Sequence, residues 1–151
     1  MLKKLFLVLI IFIIAVSIDQ YIKFIFVNGY VWHSECISLV LAYNKGVAFS
    51  MFAFLDSYLK YIQIMLILVG MIYLYKNKDI FTEYYIPIAL LFSGGISNVF
   101  DRFIHVGVVD YVYWHCKFDF AIFNLADVLI DLAVVIIIYK VYKSDKKGSL
   151  V

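Results

Sequence analysis

Charge is what this sequence has least of. Of its 151 residues only 16% are Asp, Glu, Lys or Arg, while 66% are hydrophobic. A soluble domain carries about 25% charged and roughly half apolar residues, and a fold of this length in water has too little interior to hide so much apolar surface. A water-soluble fold is excluded, and an integral membrane protein is implied. The formal charge of +2 is too small to point to nucleic acid. His33, His105 and His115 are scattered singly, with no zinc-ligand spacing, so no metal or cofactor is implied. Cys36 and Cys116 carry little pattern information. They read as free or buried thiols, although a bond between them is geometrically possible in an oxidising compartment. There is a single proline and no repeat, low-complexity tract or linker, so residues 1–151 form one membrane domain.

What is present is a set of four apolar runs, at residues about 5–27, 58–75, 84–100 and 120–139, each near the roughly 20 residues that span a bilayer as a helix. Backbone groups in lipid pair internally, and no alternating barrel pattern appears, so helices are expected. Pro87 falls in the first turn of the third run, where its missing N–H is harmless. The fold class is an all-α, four-span membrane protein with a small extracytoplasmic β-rich element and a second extracytoplasmic loop.

Lysines set the orientation. Lys3 and Lys4 precede the first run, Lys76 and Lys78 separate the second and third, and Lys140, Lys143, Lys146 and Lys147 follow the fourth. These regions share one side, the cytoplasmic one by the positive-inside rule, with both termini inside. The first seventeen residues also resemble a secretory signal peptide. Apolar character resumes beyond Asp19, however, and the lysine pattern requires an even span count, so the first run is kept as a span. With no cysteine near position 20, the chain is not itself a lipoprotein precursor. The outward segments are about 28–57 and 102–119. The first has turn signals at Asn28-Gly29 and Asn44–Gly46 around β-rich runs. In the second, the stretch from Val106 to Trp114 suits a strand or an interfacial helix equally.

Polar residues in the spans gather at one depth. Asp19 and Lys23 lie at i and i+4, an orientation that favours a helical ion pair. Asn98, Asp101 and Arg102 share one face, as do Asn124, Asp127 and Asp131. The lysine-derived topology brings all three groups to the outer leaflet. Asp19–Lys23 reads either as a helix-end pair or as part of a site. Asp101 with Arg102 reads as a charge-neutralising group, or the Arg fork holds a carboxylate or carbonyls. Gly94 and Gly95 permit close helix approach. Asp131 lies a turn deeper with an open role, Asp119 faces water, and His105 sits at the membrane interface.

Asp110 and Asp127 have no cation at helical spacing, and each adjoins an apolar run that would desolvate it. Two adjacent carboxylates cannot both ionise, so they share a proton. The ionised member can then deprotonate water while its partner polarises a scissile carbonyl. No His has a local relation to Ser50, Ser93 or Ser97 that would support a serine mechanism. Two other classes are weighed: a small ion- or proton-conducting protein, whose carboxylates should spread through the membrane depth, and an assembly subunit using Asp–Arg pairs as helix glue.

Five ordered motifs carry a resemblance: Asp19-Gln20-Tyr21-Ile22-Lys23; Asn44-Lys45-Gly46-Val47-Ala48-Phe49-Ser50; GGISNVFDR; Val108-Val109-Asp110-Tyr111; and Phe123-Asn124-Leu125-Ala126-Asp127. Together they resemble the motifs of the lipoprotein signal peptidase (signal peptidase II) family, intramembrane aspartyl endopeptidases of bacterial inner membranes. The resemblance implies Asp110 and Asp127 as the catalytic pair. It implies Asp19, Lys23, Asn44, Gly46, Asn98, Asp101, Arg102 and Asn124 as binding or supporting residues. The implied substrate is a diacylglyceryl-modified prolipoprotein, cleaved on the amino side of its lipidated cysteine by a monomer among membrane lipids. Phe49 and Phe52 would supply apolar contact to that substrate. One departure is visible: Ser97 stands where the motif commonly has glycine, a change expected to touch helix packing rather than chemistry.

Overall fold

The computed structural model describes residues 1–46 and 51–148. Residues 47–50 of the second motif, and with them the contact expected of Phe49, lie outside the described residues. The order of elements is α1 (Leu2–Val27), β1 (Trp32–His33), β2 (Ile37–Asn44), a short 3-10 helix (Ala53–Tyr58), α2 (Leu59–Lys76), α3 (Lys78–Ile104), β3 (Val108–Trp114) and α4 (Leu125–Gly148). By length and composition, α1, α2 and α3 are long and apolar enough to cross a membrane.

α3 is the centre of the bundle and packs against α4, α1 and α2. Its buried positions include Ala89, Ser93 and Ser97, one turn apart, and Gly94, small residues that let neighbouring backbones approach. The approach is closest at Gly94. A Cβ there would overlap the Ala126 carbonyl oxygen and sit 2.8 Å from Ile130 Cγ1, both on α4. Gly95 has no such constraint, since its Cβ would meet only Ile67 Cδ1 at 3.9 Å. The expectation that both glycines serve close approach therefore narrows to Gly94.

α3 begins six residues before the predicted apolar run, and its backbone leaves helical geometry at Tyr84 (φ −107°, ψ 22°). Pro87 follows three residues later. Lacking an N–H, it leaves the Glu83 carbonyl without its usual i+4 donor. Two lysines supply donors at this break: Lys140 Nζ from α4 to Glu83 O at 2.5 Å, and Lys4 Nζ from α1 to Thr82 O at 2.9 Å. Cations that mark the membrane side in the sequence thus also close the kink.

The fourth helix starts at Leu125, five residues after the start of its predicted run. The preceding residues are extended and bond to β3: Tyr111 N and Val112 N donate to Phe123 O, Phe123 N to Val112 O, and Phe120 N to Trp114 O. Apolar residues at 120–123 cover a strand edge here, a use that an apolar run cannot distinguish from helix.

The sheet is antiparallel in the order β1-β2-β3. The second outward segment is therefore a strand where it had suited two structures. Between Leu39↔Val112 and Ala42↔Asp110 the register slips, placing a bulge beside Asp110. Bulges bend a strand and re-aim its side chains, often next to active sites. Contrary to the free-thiol reading, Cys36 and Cys116 are disulfide-bonded, joining the start of β2 to the end of β3. His33 and His115 are also not isolated: His33 Nδ1 on β1 lies 3.0 Å, and His115 Nε2 just past the end of β3 lies 2.9 Å, from Ser38 Oγ on β2. Neither pairing has a signature in local spacing.

Candidate active site

Where α4 begins, its exposed N–H groups need acceptors. Asp127 N donates to Asn124 Oδ1 at 2.9 Å, and Asn124 N returns a bond to Asp127 Oδ2 at 3.1 Å. The N-x-x-D spacing is thus a capping box, with Asp127 at its third helical position. The two N–H groups between are taken from further away, Leu125 N by the Tyr111 hydroxyl at 3.0 Å and Ala126 N by Asp19 Oδ1 at 2.9 Å. The first turn of α4 is therefore held by side chains from α1, β3 and its own cap.

Asn124 also reaches the other predicted carboxylate, its Nδ2 lying 2.7 Å from Asp110 Oδ1. One residue contacts both acids. Asp110 stands on β3, only 2% exposed. Burial first, and then the charge of Asp127, raise its pKa from 3.8 to about 7, while hydrogen bonds from Asn44 and Asn124 and the charge of Lys23 oppose the rise. The neighbouring Tyr111 is also buried, which raises its phenol above the ordinary value, and its ring stacks on Phe26 at 4.5 Å between centroids.

Around the two acids lies a buried charge cluster. Lys23 Nζ is 2.7 Å from Asp19 Oδ2, 2.7 Å from Asp101 Oδ2 and 2.9 Å from Asn98 Oδ1. An ammonium has three protons, and all three are used. Asp101 receives two further donors, Gln20 Nε2 at 2.8 Å and Val109 N at 3.1 Å. Asn98 passes the network on, its Nδ2 donating to Asp127 Oδ1 at 2.9 Å. Because Asn98 Oδ1 accepts from Lys23 and from Asn124 Nδ2, its amide has a defined orientation.

Arg102 turns to the segment that follows β2. Its Nη2 donates to Gly46 O and its Nη1 lies 3.4 Å from Lys45 O, so the fork holds backbone carbonyls. Gly46 N in turn donates to Asn44 Oδ1 at 2.9 Å. Gly107 completes this corner. A Cβ on it would stand 2.7 Å from Asn44 O, so the link from α3 to β3 passes Asn44 only as glycine.

The structure thus joins Asp19, Lys23, Asn44, Gly46, Asn98, Asp101, Arg102, Asp110, Asn124 and Asp127 in one network. Asp131 is exposed on α4, a turn beyond it. Phe52 is exposed against Phe54, and His105 caps α3 with its ring 5.9 Å from Tyr43. Four participants were not assigned a role from sequence: Gln20, Ser97, Gly107 and Tyr111. Ser97 overturns the packing-only expectation, since its hydroxyl donates to Asp19 Oδ2 at 2.6 Å and accepts from Gln20 Nε2 at 2.8 Å. A cleft of about 380 Å³, bordered by Ala42, Asn44, Asp119, Phe120 and Ile122, reaches Asp110. Two acids sharing a donor, one of them with its pKa raised towards neutrality and reached by a cleft, form an arrangement suited to acid–base hydrolysis.

Residues 11–143 match the family model described as signal peptidase (SPase) II. The chain is 49% identical over 135 residues to the lipoprotein signal peptidase of Wolinella succinogenes, covering 89% of this chain and 92% of that one. It is 59% identical over 127 residues to that of Sulfurimonas denitrificans, covering 83% and 81%. A bacterial membrane enzyme solved by the in meso method at 2.3 Å matches with a TM-score of 0.80 and 26% identity, over 93% of this chain and 90% of that one. The chain belongs to the signal peptidase II family, bacterial membrane peptidases that remove signal peptides from prolipoproteins.

Proposed function

We propose that this peptidase is of the aspartic type and that Asp110 and Asp127 are its catalytic pair. The observation carrying the reading is Asn124, which donates to both carboxylates from the capped start of α4. At neutral pH the pair shares one proton and titrates jointly. The ionised member removes a proton from water as its oxygen attacks the scissile carbonyl, and the protonated member polarises that carbonyl. On collapse the C–N bond breaks and the pair returns a proton to the leaving amine. Asp19, Lys23, Asn98, Asp101 and Asn124 hold the acids in place, and Arg102 with Asn44 and Gly46 shapes the loop above them.

The substrate is a diacylglyceryl-modified prolipoprotein cut on the amino side of its lipidated cysteine. Its acyl chains would keep the scissile bond at the depth where the polar network lies. We place all four helices across the bacterial inner membrane as a single monomeric domain bathed by membrane lipids, with the sheet outside and both termini inside. Two independent features support this orientation. The Cys36–Cys116 bond suits an oxidising compartment, and Lys4 and Lys140 lie together at the opposite, kinked end of α3.

The test is cleavage of a lipidated precursor by purified Asp110→Asn and Asp127→Asn proteins. Both should fold with unchanged helix content and lose at least about 10³-fold in kcat, as expected when one member of a catalytic unit is removed. Wild-type kcat/KM should be bell-shaped in pH. The alkaline limb should fall near the value of about 7 set for Asp110, because loss of the shared proton there removes the acid. Retained turnover in either variant would discard the pair.

A further inference from the structure

Ser97 stands where the third motif commonly has glycine, so its hydroxyl has no counterpart there, and the residue is fully buried at the level where α1, α3 and α4 meet. Its Oγ donates to Asp19 Oδ2 at 2.6 Å and accepts from Gln20 Nε2 at 2.8 Å, so one side chain of α3 grips two successive residues of α1. Asp19 has four oxygen lone-pair sites and three donors: Ser97, Lys23 and the Ala126 N–H. Two of these converge on Oδ2, which turns the plane of the carboxylate and aims Oδ1 at α4. Without the hydroxyl, the only donor left on Oδ2 among the described residues is Lys23, which Asp101 shares.

From the geometry we infer that Ser97 is a positioning residue for Asp127, acting through Asp19 by two routes. The first runs through the backbone. Asp19 Oδ1 holds Ala126 N–H, and Asp127 is the next residue in the same turn. The second runs through charge. Ser97 relieves Lys23 of part of the demand from Asp19, leaving the ammonium free to hold Asn98 Oδ1, and Asn98 Nδ2 then donates to Asp127 Oδ1. A rotated Asp19 would loosen the first turn of α4 and draw Lys23 away from Asn98 together. Neighbouring Ser93 differs in kind, since among the described residues its hydroxyl, also buried, bonds only back to Ala89 O within its own helix at 2.6 Å. It is a matched control.

This inference rests on the assignment of Asp127 to catalysis, so its test carries one readout that does not depend on activity. Full-length wild type, Ser97→Ala and Ser93→Ala are compared in detergent, first by amide hydrogen exchange and then by steady-state cleavage of a lipidated precursor across pH. Each variant deletes one oxygen and introduces no clash. In Ser97→Ala, exchange over residues 125–128 should quicken about tenfold relative to wild type, the scale of one lost hydrogen bond to a charged group. kcat should fall by a similar factor with KM within twofold, and the pH profile should shift because the donor to Asp127 is weakened. Ser93→Ala should match wild type in all three.

Two results overturn the inference: Ser97→Ala indistinguishable from Ser93→Ala in exchange and kcat, or exchange quickened throughout α3 and α4 in place of the first turn of α4. If exchange changes as expected while Asp127→Asn remains active, the placement of the turn stands and the catalytic assignment is what fails.

Discussion

α1 and α4 are fastened to α3 by buried polar groups, whereas α2 meets α3 through apolar packing. On the first side, Asp19, Lys23 and Gln20 of α1 bond to Ser97, Asn98 and Asp101 of α3, and Asn98 reaches Asp127 of α4. On the other, Leu59 is the buried residue of α2, and Lys60 Nζ lies 4.9 Å from the centre of the Phe103 ring. Apolar clefts of about 470 and 540 Å³ flank α2, one towards α4 and one towards α1. In lipid, apolar side chains gain little by leaving their surroundings for one another, so packing and polar contacts must hold helices together. The helices carrying Asp127 and the groups that support the proposed acid pair have both kinds of contact. α2 relies chiefly on packing, so the two sides should respond differently to mutation.

The largest effect is expected where charge is least replaceable. Lys23→Ala leaves Asp19 and Asp101 facing each other without their shared cation, in a site where both are fully buried. Breaking a buried pair by removing one partner costs on the order of 3–5 kcal/mol. Thermal unfolding in detergent should show a Tm lowered by many degrees, and cleavage should fall with it. An unchanged Tm would mean that the polar cluster is not what fastens α1 to α3.

A smaller and more local effect should separate two adjacent glycines. Gly94→Ala drives a methyl into the Ala126 carbonyl and Ile130, the backbone and side chain that follow the proposed active-site cap. Overpacking of this kind costs about 1–3 kcal/mol, and displacing the first turn of α4 should lower kcat about tenfold or more. Gly95→Ala adds a methyl at ordinary contact with Ile67 of α2, and should stay within about 0.5 kcal/mol of wild type with normal kcat. Equal losses in the two variants would erase the distinction between the α4 and α2 sides.

Part of this contrast was legible in the sequence. Asp19, Lys23, Asn98, Asp101 and Asn124 stand out because amides and charges at helical spacing are conspicuous in an apolar run, and the motif order ties them together. Their partners were hidden for physical reasons. Ser97 and Tyr111 are unremarkable residue types in a membrane helix or strand, and the N–H groups of Val109 and Ala126 have no side-chain signature. Gly107 looks like any loop glycine until Asn44 is seen against it. The start of α4 was displaced because residues 120–123 are apolar in either role, as strand cover or as helix. Cys36 with Cys116, and His33 with His115, meet only through a strand register that lies beyond local pattern.

The smallest effect tests the α2 side itself. Gln63 lines the cleft between α2 and α4, and its Oε1 is buried with no hydrogen-bond partner among the described residues. An unsatisfied buried acceptor costs about 1–3 kcal/mol, and an apolar group of similar shape removes that penalty. If α2 serves only as an apolar wall, Gln63→Leu should raise Tm slightly and leave kcat and KM for a lipidated precursor unchanged. A rise in KM with kcat intact would mean that this oxygen is kept for a donor on the bound substrate. The cleft would then belong to recognition, and the division between a polar working side and an apolar supporting side would have to be redrawn at α2.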